Sequence, residues 1–123
     1  NGLSAVNSAS FSEDKGRMLE NTVFLHLRKR YKNIFYFREK NECDFLVKEK
    51  NKIIAAIQVC FELNEDNKNR EIKGLQEALE KLDLKDGLIL TFNQEDELSI
   101  SNKRITVKPV WKWLINYNYG GNK

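Results

Sequence analysis

The sequence predicts an α/β fold, a mixed central sheet flanked by helices in the order α-β-β-β-α-β, followed by a hairpin and a C-terminal helix. Three observations predict it. The run Ile53 to Phe61 is almost unbroken apolar and rich in β-branched residues, the pattern of a strand covered on both faces. Glu42 to Val47 precedes it across the short polar turn Lys48-Glu49-Lys50-Asn51-Lys52, so the two read as adjacent strands. Helical periodicity then brackets the pair. Leu19, Val23, Phe24, Leu27 and Tyr31 recur at helical spacing before it, and Ile72, Leu75, Ala78, Leu79 and Leu82 recur after it.

With 123 residues the chain suits one domain with a real core. Lys plus Arg number 21 against 18 Asp plus Glu, so the net charge of +3 does not by itself announce a nucleic-acid binder. The two cysteines both fall in predicted strands and form no C-x-x-C pair, which argues against a disulfide scaffold or a zinc site and suits a reducing compartment. No apolar run is long enough for a membrane span and no leader opens the chain, so the expectation is a cytoplasmic, soluble protein without a membrane partner. The opening NGLSAV, without methionine, reads as the tail of an earlier element of a longer protein. Residues 1–15 are therefore expected to be an arm left from a preceding domain, 16–117 the folded domain, and 118–123 a flexible tail.

In chain order, Ser12 is the expected N-cap of the first helix, with Glu13 and Asp14 in its first turn, although Gly16 leaves the start between 12 and 16. Glu20 lies on the edge of that helix's core stripe, where a boundary glutamate reaching for water is the plain reading. Arg28, Lys29, Arg30 and Lys32 suit the helix C-terminus and its dipole. Ile34 to Phe37 is a short strand. In the next strand a period of two places Glu42, Asp44 and Leu46 on one face and Cys43, Phe45 and Val47 on the other. Gln58, Cys60 and Glu62 share a face at the end of the following strand, where burying such groups without partners would cost a few kcal/mol each. Asp66 or Asn67 caps the second helix, Asp86-Gly87 ends it, and Leu88 to Phe92 is a further strand. Leu98 to Ile100 and Ile105 to Val107 form a hairpin around Asn102-Lys103. Pro109 opens the last helix, Val110 to Ile115, whose Trp111 and Trp113 cannot both face one core.

The segments GRMLENTVFLHL, FYFREKNECDFLV, IQVCFEL, REIKGLQEAL and GLILTF, in this order and spacing, resemble the PD-(D/E)XK nuclease-like superfamily, and more closely the C-terminal domain of a family of prokaryotic AAA+ ATPases. The resemblance covers roughly residues 16 to 115 and implies a restriction-endonuclease-like core. It implies that Asp44 is the metal-binding aspartate, that Glu20 is the carboxylate from the first helix, and that Gln58 fills the acidic position of the (D/E)-x-K signature. Cys60 then stands in the lysine position, a departure from the pattern. Phosphodiester hydrolysis needs oxygen ligands for Mg²⁺ and a cation to activate water and offset developing charge. Glu20, Asp44 and Gln58 could hold the metal. A neutral thiol cannot replace an ammonium, so Arg70 or Lys73 would have to supply that charge.

Three functions follow from this reading. The leading one is a nuclease-fold module of an AAA+ ATPase with lost or weakened catalysis, binding nucleic acid or a partner. The second is an active Mg-dependent deoxyribonuclease with a relocated cation. The third is a structural or dimerisation domain, a homo-oligomer among its forms, favoured if the lysine turn and Arg70 lie on unrelated faces. Lys48, Lys50, Lys52, Arg70 and Lys73 are the candidate nucleic-acid contacts, although a lysine-rich hairpin tip is more often simply solvated. A cysteine nucleophile at Cys60 has no partner, because the only histidine, His26, sits among core residues of the first helix.

Overall fold

A computed structural model describes residues 8–38 and 42–115. The elements run α1 Ser8–Arg30, β1 Asn33–Arg38, β2 Glu42–Glu49, β3 Lys52–Val59, α2 Lys68–Lys81, β4 Asp86–Thr91, β5 Asp96–Ile100, β6 Lys103–Pro109 and α3 Val110–Ile115. The six strands form one sheet in the order β1-β2-β3-β4-β6-β5. β1, β2 and β3 are successive antiparallel neighbours, β3, β4 and β6 are parallel, and β5 returns antiparallel to β6. This is the mixed α/β sheet that the sequence pattern predicts. Residues 1–7 of the expected arm and the whole expected tail 118–123 lie outside the described residues.

The β2–β3 and β5–β6 hairpins close through turns with two consecutive positive-φ residues, Lys50-Asn51 (54° and 66°) and Ser101-Asn102 (50° and 67°). Such turns match the right-handed twist of the strands, and asparagine tolerates the left-handed region better than most residues. Two cores flank the sheet. On one face Leu75, Ala78 and Leu79 of α2 pack on Leu46, Ala56 and Ile89. On the other, Val23 and Leu27 of α1 and Trp113 of α3 pack on Phe45, Ile57 and Leu90. Gly87 is where α2 comes closest to the sheet, since a Cβ there would sit 2.9 Å from Leu75 side-chain atoms.

Three features differ from expectation. α1 starts at Ser8 rather than near Ser12, running through the boundary drawn at residue 15. Gly16 does not interrupt it, and a Cβ there would meet nothing within 4 Å. α2 ends at Lys81, five residues before Asp86-Gly87. Asp83 takes a φ of 58° and Leu84 N–H donates to the Leu79 carbonyl at 2.9 Å, a left-handed helix stop that needed no glycine. The third concerns β2. Phe35 pairs with Leu46 but Phe37 pairs with Cys43, so β2 carries one extra residue at positions 44–45. This bulge breaks the simple alternation. Cys43 joins Leu46 in the α2-side core, while Phe45 and Val47 face α1.

Candidate functional site

The bulge falls at Asp44, the residue that the sequence resemblance casts as the metal-binding aspartate. The β2–β3 ladder reaches Phe45↔Ile57, and beyond it two side chains carry the pairing on. Asp44 N–H donates to Gln58 Oε1 at 2.8 Å, and Val59 N–H donates to Asp44 Oδ2 at 2.8 Å. Gln58, 2% exposed, also donates from Nε2 to the Glu71 carbonyl at 2.9 Å, tying the sheet to the first turn of α2. The polar groups set into this buried strand are thus met by backbone.

Beside this knot opens a cleft of about 430 Å³, lined by Arg17 and Glu20 from α1, Cys60, Phe61 and Glu62 after β3, and Arg70 and Glu71 at the start of α2, among others. The site residues read from sequence divide accordingly. Glu20, Cys60 and Arg70 line the cleft. Asp44 and Gln58 lie behind it in the strand pair. Lys73 is exposed on α2 and does not line it. Lys48, Lys50 and Lys52 sit at the opposite end of the β2–β3 hairpin, roughly 20 Å from Gln58 at about 3.3 Å per residue. Lys48 holds its ammonium 5.9 Å over the Phe35 ring instead.

Two lining residues escape a sequence reading. Arg17 is exposed on α1, and Glu71 has only 14% of its side chain exposed, paired at 3.4 Å with Arg70. Glu71 sits three residues before Gly74 in REIKGLQEAL and looks like an ordinary first-turn carboxylate. Only the strand pairing, which brings Gln58 to its carbonyl, reveals its burial. Burial pushes its carboxyl pKa up, Arg70 opposes the rise and Glu20 adds to it. A carboxyl whose folded pKa is raised weakens the fold as pH rises through the window from its ordinary value to the raised one. Glu71→Gln should therefore raise the thermal midpoint at neutral pH, and that gain should vanish in acid; the Arg70 pair it removes has its guanidinium side open to solvent and is worth little. A variant less stable at neutral pH than in acid, each against the parent, would refute this.

Cys60 is buried and its thiol is pushed up to about 12, by burial first and then by Glu71 and Asp44. It is a protonated, inert thiol at neutral pH. Cys43 is likewise raised to about 12, mainly by burial, with its Sγ 3.5 Å from the Ile57 carbonyl. Among the described residues no group of three His, Cys, Asp or Glu side chains is arranged to hold a metal ion. No helix among them is long and apolar enough to cross a membrane.

A family model described as a domain of unknown function, DUF4143, matches residues 15–113. The chain belongs to the DUF4143 family. All the cleft-lining residues of this DUF4143 domain fall inside the match. The domain is also similar to an uncharacterized protein of Methanocaldococcus jannaschii, MJ1544, with 46% identity over 121 residues, covering 89% of this chain and 27% of that relative. The chain thus spans about a quarter of that relative's length.

Proposed function

We propose that this domain is a nuclease-fold module that has lost hydrolysis and acts by binding, to nucleic acid or to a protein partner, as part of a longer chain with an AAA+ ATPase portion. The observation that carries this reading is the state of the signature positions. Gln58 spends its amide oxygen on the Asp44 N–H and its amide nitrogen on the Glu71 carbonyl, and Cys60 presents a protonated thiol where the resemblance calls for an ammonium. The lysine-position cation is gone, the Gln58 amide oxygen and one Asp44 oxygen are already engaged with backbone, and only the cleft arginines remain to offset charge. These residues do not fit a resident Mg²⁺. The kinship to nucleases and to the ATPase portion rests on the order and spacing of the sequence segments.

The expected result is no Mg²⁺- or Mn²⁺-dependent cleavage of plasmid, single-stranded or branched DNA above an Asp44→Ala control. Robust cleavage that this substitution abolishes would sink the proposal and favour an active nuclease. In that case Arg70→Ala, at the cleft, should matter more than Lys73→Ala, outside it.

One observation favours a structural or dimerisation role as a second reading. The lysine hairpin and Arg70 lie at opposite ends of β3 and cannot form one continuous basic surface. A sedimentation measurement showing a concentration-dependent dimer, with no nucleic-acid binding at low salt, would support that role instead.

A further inference from the structure

We propose that the mouth of the cleft takes a short stretch of single-stranded nucleic acid, one base stacked on the exposed ring of Phe92 and the flanking phosphates on Arg17 and Arg70. This rests on the binding reading above and names its ligand. β3 and β4 are parallel neighbours, and their C-terminal ends are where ligands settle on open α/β sheets. There the Phe61 and Phe92 rings stack with centroids 4.9 Å apart and planes at 25°. Phe92 is 53% exposed, so part of its ring is open to a ligand while it stacks on Phe61. Phe61 lines the cleft together with Arg17 and Arg70, and Phe92 adjoins that opening through its stack on Phe61.

The platform is held in place from beneath. Phe92 N–H donates to the Phe61 carbonyl at 3.1 Å. The Gln94 side chain grips Leu63 from both sides, accepting from its N–H at 2.7 Å and donating to its carbonyl at 3.0 Å. Thr91, fully buried, takes the Gln94 N–H on its hydroxyl at 2.9 Å. A base landing on Phe92 therefore meets a ring whose backbone is already ordered, and little conformational entropy is lost on binding.

The charges of the cleft choose among nucleic acids. Arg17 and Arg70 share it with Glu20, Glu62 and Glu71. Those carboxylates repel a dense run of phosphates, which counts against duplex, whereas a single strand brings fewer phosphates to the two arginines and offers any base for stacking. The distant lysine hairpin takes no part.

The test is fluorescence anisotropy of labelled hexathymidine with the 123-residue chain, from about 20 to 200 mM salt, beside a duplex of the same length. Hexathymidine should bind with a log–log salt slope of about −1.4, two phosphates at about 0.7 each, and the duplex should bind more weakly. Phe92→Ser, at an exposed ring, should weaken binding at least about fivefold and leave the slope unchanged. Arg17→Gln and Arg70→Gln should each flatten the slope by about 0.7. Duplex preference, indifference to Phe92→Ser in a variant that melts like the parent, or no binding at low salt would overturn the inference. No binding together with no cleavage leaves the protein-partner arm of the proposed function standing. Mg²⁺-dependent cleavage of hexathymidine would instead defeat the loss of hydrolysis while leaving the Phe92 platform intact.

Discussion

Gln58→Leu should cost the domain about 2–4 kcal/mol, read as a fall of roughly 8–16 °C in the thermal midpoint at about 4 °C per kcal/mol. Leucine nearly keeps the volume, so no large cavity opens. What is lost is hydrogen bonding. The Asp44 N–H is left without its side-chain partner inside the sheet, and the tie from β3 to the Glu71 carbonyl disappears. Gln58→Glu is the more telling substitution, because it installs the residue of the nuclease signature. A carboxylate can still accept from Asp44 but cannot donate to a carbonyl 2.9 Å away. At neutral pH it should destabilise nearly as much as leucine. Protonation returns a donor, so the folded pKa of the new carboxyl is raised, and the lost stability should come back as pH falls toward the ordinary glutamate value. A Gln58→Glu variant as stable as the parent at neutral pH would show that the amide is not fastening the strands.

The same knot shows where the sequence was legible and where it was not. The two central strands, the turn at Asn51 and the α2 stripe rest on local patterns, and the structure carries the left-handed turn and the period of 3.6 in full and the burial on both faces in the second half of β3, from Ala56 to Val59. The bulge at 44–45 is invisible to periodicity, because an added residue in a strand leaves no mark on the composition of its neighbours. It moves Cys43 to the α2 side and lets Asp44 accept a main-chain bond from Val59. Glu20 was legible as a boundary residue because its position on the helical stripe sets its depth. Glu71 was not, because its burial depends on a pairing thirteen residues away. The helix stop at Asp83 hid for a related reason, since the left-handed residue was an aspartate and the expected glycine belonged to the next strand.

Trp113→Ala should cost about 3–5 kcal/mol and leave little folded protein at moderate temperature, while Trp111→Ser should change stability by no more than about 0.5 kcal/mol. The two rings are two residues apart on a helix of 6 and point to opposite environments. Trp113 is 5% exposed, packed in the α1-side core and set edge-on against His26 with centroids 5.0 Å apart. Burial, with Arg30 and Lys29 nearby, holds the His26 pKa down, so the imidazole is neutral where the ring packs against it. Trp111 is 54% exposed and shares its face of α3 with Ile115, four residues on and 47% exposed. Fluorescence should separate them without ambiguity. Removing Trp113 should abolish the blue-shifted emission and the cooperative melt together, and removing Trp111 should abolish only the red-shifted part. If Trp111 docks a second copy or a further domain of a longer chain that carries this one, Trp111→Ser should weaken that association in a chain that melts like the parent. A Trp111→Ser domain that unfolds would place this face in the core and end the docking idea.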